Sequence, residues 1–173
     1  MEKIIFLDRD GVINEKAAPH EYISRWEEFR FLPGVPEAIY SLNEAGYKLV
    51  IVSNQRGIAR GMMTVEQLNE LHENMCAALE KQGAHIDAIY VCPHNEGECT
   101  CRKPAIGLFL QAEQQFCVDK AQSFMIGDSA SDIEAGERYG VRTILVNSED
   151  KLGTVQCKDL RGAAEYILQE VKK

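Results

Sequence analysis

The chain has 173 residues, of which 45% are hydrophobic and 27% charged, so we expect residues 1–173 to form one globular domain. Its formal net charge of −8 disfavours a nucleic acid partner, because the nucleic acid backbone binds to broad cationic surfaces. No apolar run reaches the ~20 residues of a membrane span, and the apolar N-terminus is too short for a signal peptide. We therefore expect a cytoplasmic protein with no membrane partner.

Short apolar runs alternate along the chain with longer amphipathic segments. The predicted strands are residues 3–7, 47–52, 86–91, 123–126 and 143–146. The predicted helices are residues 35–44, 64–81, 106–116, 131–139 and 159–171. Thr64 and Gln67 have capping-box spacing, and Asp159 is a candidate cap of the last helix. This alternation predicts an α/β fold, a Rossmann-like three-layer sandwich with a central parallel sheet and no room for a large cap domain.

Acidic residues follow the first and fourth predicted strands. Asp8 and Asp10 lie two positions apart after the first strand, and Asp128 directly follows the fourth. Like charges this close repel each other unless a cation or a proton lies between them, and Mg²⁺ prefers carboxylate oxygens. The alternative for the first pair is a turn with solvated aspartates. Asp132 could simply be a charge in the first turn of a helix, where the helix dipole favours it.

Hydrogen-bond donors follow the second predicted strand, and two cations precede the third predicted helix. The first group, which suits phosphate or sugar oxygens, is Ser53, Asn54, Gln55 and Arg56. Arg102 and Lys103 could together clamp an anion. The alternatives are a polar surface loop and a solvated pair of cations. Because ligands of parallel sheets bind at the carboxyl ends of the strands, the four groups jointly predict a site for a metal ion and a phosphoryl group.

Half of the chain's 6 cysteines lie in one short segment beside a histidine. The four potential ligands are Cys92, His94, Cys99 and Cys101. Three thiolates and an imidazole complete a tetrahedral Zn²⁺ site with no open position, which is typical of a structural zinc. The alternatives are accidental crowding and, less favoured, a redox role. The predicted zinc-binding loop ends directly at Arg102 and Lys103, so the metal would position these two cations.

Residues 14–31 are the extended irregular stretch after the first motif, and we expect them to form a flap. Trp26, Phe29 and Phe31 are expected to pack this flap onto the core. His20 lies within the flap and is a candidate for substrate contact.

These motifs resemble those of the haloacid dehalogenase (HAD) superfamily of phosphotransferases. The resemblance covers the whole chain and rests on D-x-D-G at 8–11, Ser53, Lys103 and G-D-x-x-x-D at 127–132, in the expected order. It implies that Asp8 is the nucleophile and forms an aspartyl-phosphate, while Asp10 serves as general acid and base. It also implies that Ser53 and Lys103 hold the phosphoryl oxygens and that Asp132 orients Lys103. Mg²⁺ would be held by Asp8, the carbonyl of Asp10 and Asp128.

Within the superfamily, the segments at 8–14, 53–61 and 92–104 resemble a small, zinc-containing branch of sugar and histidinol phosphatases. The branch implies a small phosphorylated sugar as substrate, a heptose 1,7-bisphosphate that loses its 7-phosphate. The short spacing between His94 and Cys99 is nearer the histidinol-phosphatase type, which leaves histidinol phosphate as the alternative. A third reading is a non-catalytic binding module built on the zinc-binding loop. Arg56 and Arg102 are candidates to hold a second anionic group or sugar hydroxyls, and we expect a monomer.

Overall fold

The computed structural model describes residues 1–152 and 154–170. Its six strands form one parallel sheet in the order β3-β2-β1-β4-β5-β6. The strands are β1 (Ile4–Leu7), β2 (Lys48–Asn54), β3 (Ala88–Cys92), β4 (Phe124–Gly127), β5 (Arg142–Val146) and β6 (Val155–Cys157). The helices are α1 (Val35–Glu44), α2 (Val65–Glu80), α3 (Gly107–Glu113), α4 (Ala130–Tyr139) and α5 (Leu160–Glu170). Single 3-10 turns lie at Trp26–Glu28 and Lys120–Gln122.

Alternate side chains of each central strand enter two separate cores. In β1, Ile5 and Leu7 pack with residues of α1, α2 and α5 on one face of the sheet. Ile4 and Phe6 pack with residues of α3 and α4 on the other face. Because side chains of a strand alternate between faces, one strand supports both helical layers. The predicted three-layer α/β class is confirmed.

The main difference from the predicted elements is the edge strand β6, which the sequence reading missed. Its three residues are too few to show a periodic pattern, and they pair with β5. β2 also runs two residues further than predicted, through Ser53 and Asn54, because polar residues at a strand end carry no hydrophobic signal. Val171, the last residue of the predicted closing helix, lies outside the described residues.

Both predicted helix caps are present. Thr64 Oγ1 accepts from the amide of Gln67 at 3.1 Å, and the Gln67 side chain accepts from the amide of Thr64 at 2.9 Å. Asp159 accepts from the amide of Gly162 at 2.9 Å. These contacts satisfy amides that the helices α2 and α5 leave unpaired in their first turns.

The two ends of the predicted flap, residues 14–31, lie side by side. The amide of Glu15 donates to the carbonyl of Arg30 at 3.0 Å, which closes the base of the segment. The Trp26 and Phe29 rings stack at 5.2 Å, and Phe29 meets Phe31 edge-on at 5.0 Å. All three rings pack against the α1/α2/α5 core, which confirms the expected packing.

The order of strands reverses at β1. β2 and β3 lie on one side of it, and β4, β5 and β6 lie on the other. In parallel sheets the crevice at such a reversal, beyond the carboxyl ends of the strands, is where ligands bind. Among the described residues, no helix combines the length and apolar character that crossing a membrane requires.

Candidate active site

Three carboxylates converge at the reversal between β1 and β4. Asp8 follows β1, Asp128 follows β4 and Asp132 lies in the first turn of α4. One ligand oxygen from each lies within 4.8 Å of the others. Burial, and then the charge of Asp132, raise the pKa of Asp8 to about 7. A divalent cation between these oxygens would offset both effects, so the donor set fits Mg²⁺.

Lys103 brings a positive charge into the same cluster. Its Nζ lies 2.9 Å from Asp8 Oδ1, 2.7 Å from Asp132 Oδ1 and 2.6 Å from the carbonyl oxygen of Val52. Three acceptors match the three N–H bonds of an ammonium group. Burial acts to lower the pKa of Lys103, but Asp132 and Asp8 outweigh it and raise the pKa. The lysine is therefore held as a cation beside Asp8.

Asp132 connects helix α4 to that lysine. Its Oδ2 accepts from Ser129 Oγ at 2.7 Å and from the amides of Asp128 and Ser129 at 3.2 Å each. Its other oxygen contacts Lys103. The carboxylate thus caps α4 and fixes the ammonium at once, which is the position an orienting residue needs.

The side chain of Asp10 lies outside the three-carboxylate cluster. Asp10 Oδ1 accepts from Arg9 Nη2 at 2.8 Å and from Asn14 Nδ2 at 2.9 Å. Asp10 Oδ2 accepts from Arg9 Nη2 at 3.1 Å and from Gln55 Nε2 at 2.9 Å. Burial acts to raise the pKa of Asp10, but the Arg9 charge and these hydrogen bonds outweigh it and lower the pKa. The Asp10 carboxylate is therefore engaged by Arg9, Asn14 and Gln55, apart from the three carboxylates that could hold a metal ion.

Two of the predicted substrate-binding residues are engaged within the protein. Asn54 forms a reciprocal pair with the main chain of Lys103, donating to its carbonyl and accepting from its amide at 3.0 Å each. Gln55 is only 1% exposed and donates to both Asp10 and Ser53. Ser53 is buried at the end of β2. Gln55 thus supports the site from within the core, whereas Asn54 supports Lys103 and also lines the cavities beside Asp10 and Lys103.

Arg56 and Arg102 lie beside the zinc-binding loop, and His20 is exposed on the flap. Arg56 Nε donates to Asn95 Oδ1 at 3.1 Å. Arg102 lines a cavity of about 380 Å³ next to Lys103. Within the described part of the chain, its buried Nη1 has no hydrogen-bond partner. The guanidinium of Arg102 therefore has one N–H that the protein itself leaves unpaired.

Several residues at the site were missed by the sequence reading. Lys16 forms an ion pair with Asp128, and Tyr22 of the flap lines a second cavity of about 210 Å³ together with Asp10. Arg138 of α4 lines the Arg102 cavity. Charged residues in a flap or on a helix carry no motif, so nothing in their spacing distinguished them from surface charges.

Four zinc-type ligands also meet as predicted. Cys99 Sγ lies 3.5 Å from Cys92 Sγ and 3.3 Å from Cys101 Sγ. His94 Nδ1 lies 3.6 Å from Cys92 Sγ and 3.4 Å from Cys101 Sγ. A zinc ion with bonds of about 2.0–2.3 Å to sulfur and nitrogen requires ligand separations of this size. The cluster is compatible with a closed structural zinc at the base of the segment that carries Lys103.

The fold is a parallel sheet between two helical layers, and a buried lysine lies among aspartates where its strand order reverses. This combination is typical of phosphatases of the HAD type. A family model described as polynucleotide kinase 3 phosphatase matches residues 3–164. A relative from Pasteurella multocida, "D-glycero-beta-D-manno-heptose-1,7-bisphosphate 7-phosphatase", is 40% identical over 99% of this chain and 94% of its own length. A relative of the same name from Vibrio cholerae is 40% identical over 98% of this chain and 97% of its own length.

Solved structures agree with these relatives. The crystal structure of D,D-heptose 1,7-bisphosphate phosphatase from B. bronchiseptica, complexed with magnesium and phosphate, has a TM-score of 0.88 and 36% identity. The alignment covers 97% of this chain and 99% of that one. A HAD-like phosphatase from Mesorhizobium loti has a TM-score of 0.82 and 29% identity, over 96% and 87% of the two chains. The chain belongs to the HAD superfamily of phosphatases, in the branch of the heptose bisphosphate phosphatases.

Proposed function

We propose that this protein is a magnesium-dependent phosphatase that removes the 7-phosphate of D-glycero-D-manno-heptose 1,7-bisphosphate, in the synthesis of nucleotide-activated heptose. The observation that carries the proposal is the convergence of Asp8, Asp128 and buried Lys103 at one point of the sheet edge. This arrangement offers a nucleophilic oxygen, a metal site and a fixed cation within reach of one phosphoryl group. The named relatives supply the substrate.

The reaction proceeds in two displacements at phosphorus. An oxygen of Asp8 attacks, the P–O bond to the sugar breaks, and Asp10 gives a proton to the departing sugar oxygen. A water then attacks the phosphorus of the aspartyl-phosphate while Asp10 takes a proton from that water, the bond between phosphorus and the Asp8 oxygen breaks, and inorganic phosphate is released. Lys103 stabilises charge on the phosphoryl oxygens, and Ser53 hydrogen-bonds to them. Bound Mg²⁺ reduces the repulsion between Asp8 and the anionic phosphate.

The charges around the cavity that Arg102 lines favour a bisphosphate over histidinol phosphate. Arg102 has an unpaired buried N–H, and the cavity is also lined by Arg138, which pairs with Glu134, and by the single acid Glu96. A second phosphate would pair with these guanidiniums, whereas the amine of histidinol phosphate would be repelled by them. The two arginines therefore support the heptose substrate despite the short spacing between His94 and Cys99.

The test is phosphate release by the purified protein with Mg²⁺ from heptose 1,7-bisphosphate and from histidinol phosphate. We expect turnover of the heptose substrate, with mass spectrometry and NMR showing that position 7 loses its phosphate. Preference for histidinol phosphate would overturn the substrate assignment. Asp8→Asn is expected to fold and to lose turnover, and hydrolysis retained by that variant would overturn the mechanism.

We also propose that the chain works as a single-domain monomer in the cytoplasm and does not bind nucleic acid. Unpaired thiols in a zinc-type cluster persist in a reducing compartment, which supports the cytoplasm. The net charge of −8 opposes binding to a polyanion. Light scattering of the purified protein would test the monomer, and a gel-shift assay with single- and double-stranded oligonucleotides would test the absence of nucleic acid binding.

A further inference from the structure

Arg9 is a fully buried charge located between the two catalytic aspartates in the chain. The proposed chemistry uses Asp8 and Asp10 on either side of it and gives Arg9 no role. A buried guanidinium is strongly unfavourable unless charged or polar partners surround it. The partners of Arg9 therefore indicate what it does.

One end of the guanidinium holds Asp10. Arg9 Nη2 lies 2.8 Å from Asp10 Oδ1 and 3.1 Å from Asp10 Oδ2. The two other donors to this carboxylate, Asn14 and Gln55, are neutral amides. Arg9 is thus the only ion-pair partner of Asp10 among the residues that the structure describes. Such contacts are the stronger and more directional kind.

The other end of the guanidinium contacts helix α2. Arg9 Nη1 lies 3.1 Å from Nε2 of His72, a residue 63 positions away and 7% exposed. Arginine has only donors, so Nε2 must be the acceptor and the ring must be neutral, with its proton on Nδ1. The third donor, Arg9 Nε, finds no partner in residues 1–152 and 154–170. His72 is therefore the contact that sets the orientation of the guanidinium from the side opposite Asp10.

We propose that Arg9, braced by His72, is the positioning residue for the acid–base carboxylate of Asp10. The inference rests on the acid–base role that the proposed function gives to Asp10. His72 touches neither substrate nor metal in this arrangement and acts through Arg9. A substitution that removes the acceptor nitrogen of His72 leaves the buried Nη1–H of Arg9 unpaired. The guanidinium then turns toward another acceptor and draws the Asp10 carboxylate away from the sugar oxygen that must be protonated.

Leaving-group dependence separates this role from a merely structural one. A sugar oxygen needs a proton as it departs, whereas the phenolate of p-nitrophenyl phosphate leaves without one. The value of kcat/KM reports only the steps up to departure of the leaving group, whereas kcat also includes hydrolysis of the aspartyl-phosphate, in which Asp10 serves both substrates. Misplacing Asp10 therefore lowers kcat/KM for the sugar substrate and spares kcat/KM for the aryl substrate. A general loss of stability or of metal would slow both reactions alike.

The experiment compares kcat/KM for the heptose bisphosphate and for p-nitrophenyl phosphate in His72→Leu, His72→Gln and Leu71→Ala. For His72→Leu we expect kcat/KM for the sugar substrate to fall on the order of tenfold, a part of the general-acid contribution. Its kcat/KM for the aryl substrate should change by less than about twofold, because the phenolate leaves without a proton. His72→Gln keeps an acceptor for Arg9 and should restore most of the sugar activity. Leu71, buried on the same helix, controls for lost packing: its variant should unfold at a lower temperature with an unchanged activity ratio.

The acid role of Asp10 is checked separately with Asp10→Asn, which should lose far more kcat/KM for the sugar substrate than for the aryl substrate. If kcat/KM falls equally for both, the acid role fails and the inference fails with it. If Asp10→Asn discriminates between the substrates but His72→Leu does not, the proposed function stands and the role of the Arg9–His72 pair is refuted. Equal ratios in His72→Leu and Leu71→Ala would refute it as well.

Discussion

His72 makes the folded protein sensitive to mild acid. Burial, and then the neighbouring Arg9 charge, lower the pKa of His72 from 6.5 to about 3. Between these two values the unfolded chain binds a proton that the folded chain does not. The free energy of unfolding therefore decreases as the pH falls through this window, and the contribution is fully present above pH 6.5.

The size of the effect follows from the shift. Each pH unit below the unfolded pKa costs about 1.4 kcal/mol as long as the folded ring stays neutral. At pH 5 the unfolded ring is largely protonated and the folded ring is not, so this one group removes about 2 kcal/mol relative to pH 7. That is a large share of the ~5–15 kcal/mol by which domains are stable.

The assay is urea unfolding of the wild type and of His72→Gln at pH 7 and pH 5, followed by tryptophan fluorescence and circular dichroism. Carboxylates and zinc ligands also titrate, but they do so in both proteins, so the difference between the two pH dependences isolates His72. We expect the wild type to lose about 2 kcal/mol more than His72→Gln on going to pH 5. Equal losses would refute the buried, neutral state of His72.

Three further variants test the site and the fold. Gly11→Ala places a methyl group 2.1 Å from Asp128 Oδ2 at a φ of +85°, so the Mg²⁺ concentration for half-maximal activity should rise on the order of tenfold; unchanged Mg²⁺ titrations would contradict this. Thr64→Ala breaks the capping box of α2 and should lower the free energy of unfolding by about 1 kcal/mol in urea titrations, with kcat unaltered. Cys101→Ser should lose zinc in metal analysis and reduce kcat/KM roughly ten- to hundredfold, because the segment that positions Lys103 loosens; full activity without zinc would disprove that link.

The local sequence pattern was sufficient to predict the central strands, the helices and the positions of the site's aspartates. Apolar runs and caps located all the central strands, and a parallel sheet brings the carboxyl ends of its strands to one edge. The sequence therefore predicts that Asp8 and Asp128 lie near each other. The zinc-type cluster is equally local, since its four ligands lie within ten residues of the chain. The three residues of β6 were not predicted, because a strand this short shows no alternation of apolar and polar residues.

Contacts between segments that are distant along the chain could not be predicted from the sequence. Arg9 and His72 are 63 positions apart, and the reciprocal pair of Asn54 with Lys103 spans 49. Gln55 looked like a free donor for substrate, yet its amide is used by Asp10 and Ser53. Which donor meets which acceptor depends on how α2 and the zinc-binding loop pack onto the sheet. That packing is set by the total burial of both cores rather than by any single stretch of residues.

The amino-acid order thus specified the class of fold, the chemistry of the reacting groups and the metals they suit, because these depend on periodicity and on residue type at short spacing. Folding in three dimensions selected the partners of each buried charge. A buried guanidinium or ammonium must be matched by whatever acceptors the packed layers bring to it, and those acceptors come from remote parts of the chain. For this protein the difference is clearest at Asp10, whose presence was evident from its motif and whose carboxylate is held by Arg9, which in turn contacts a histidine of helix α2.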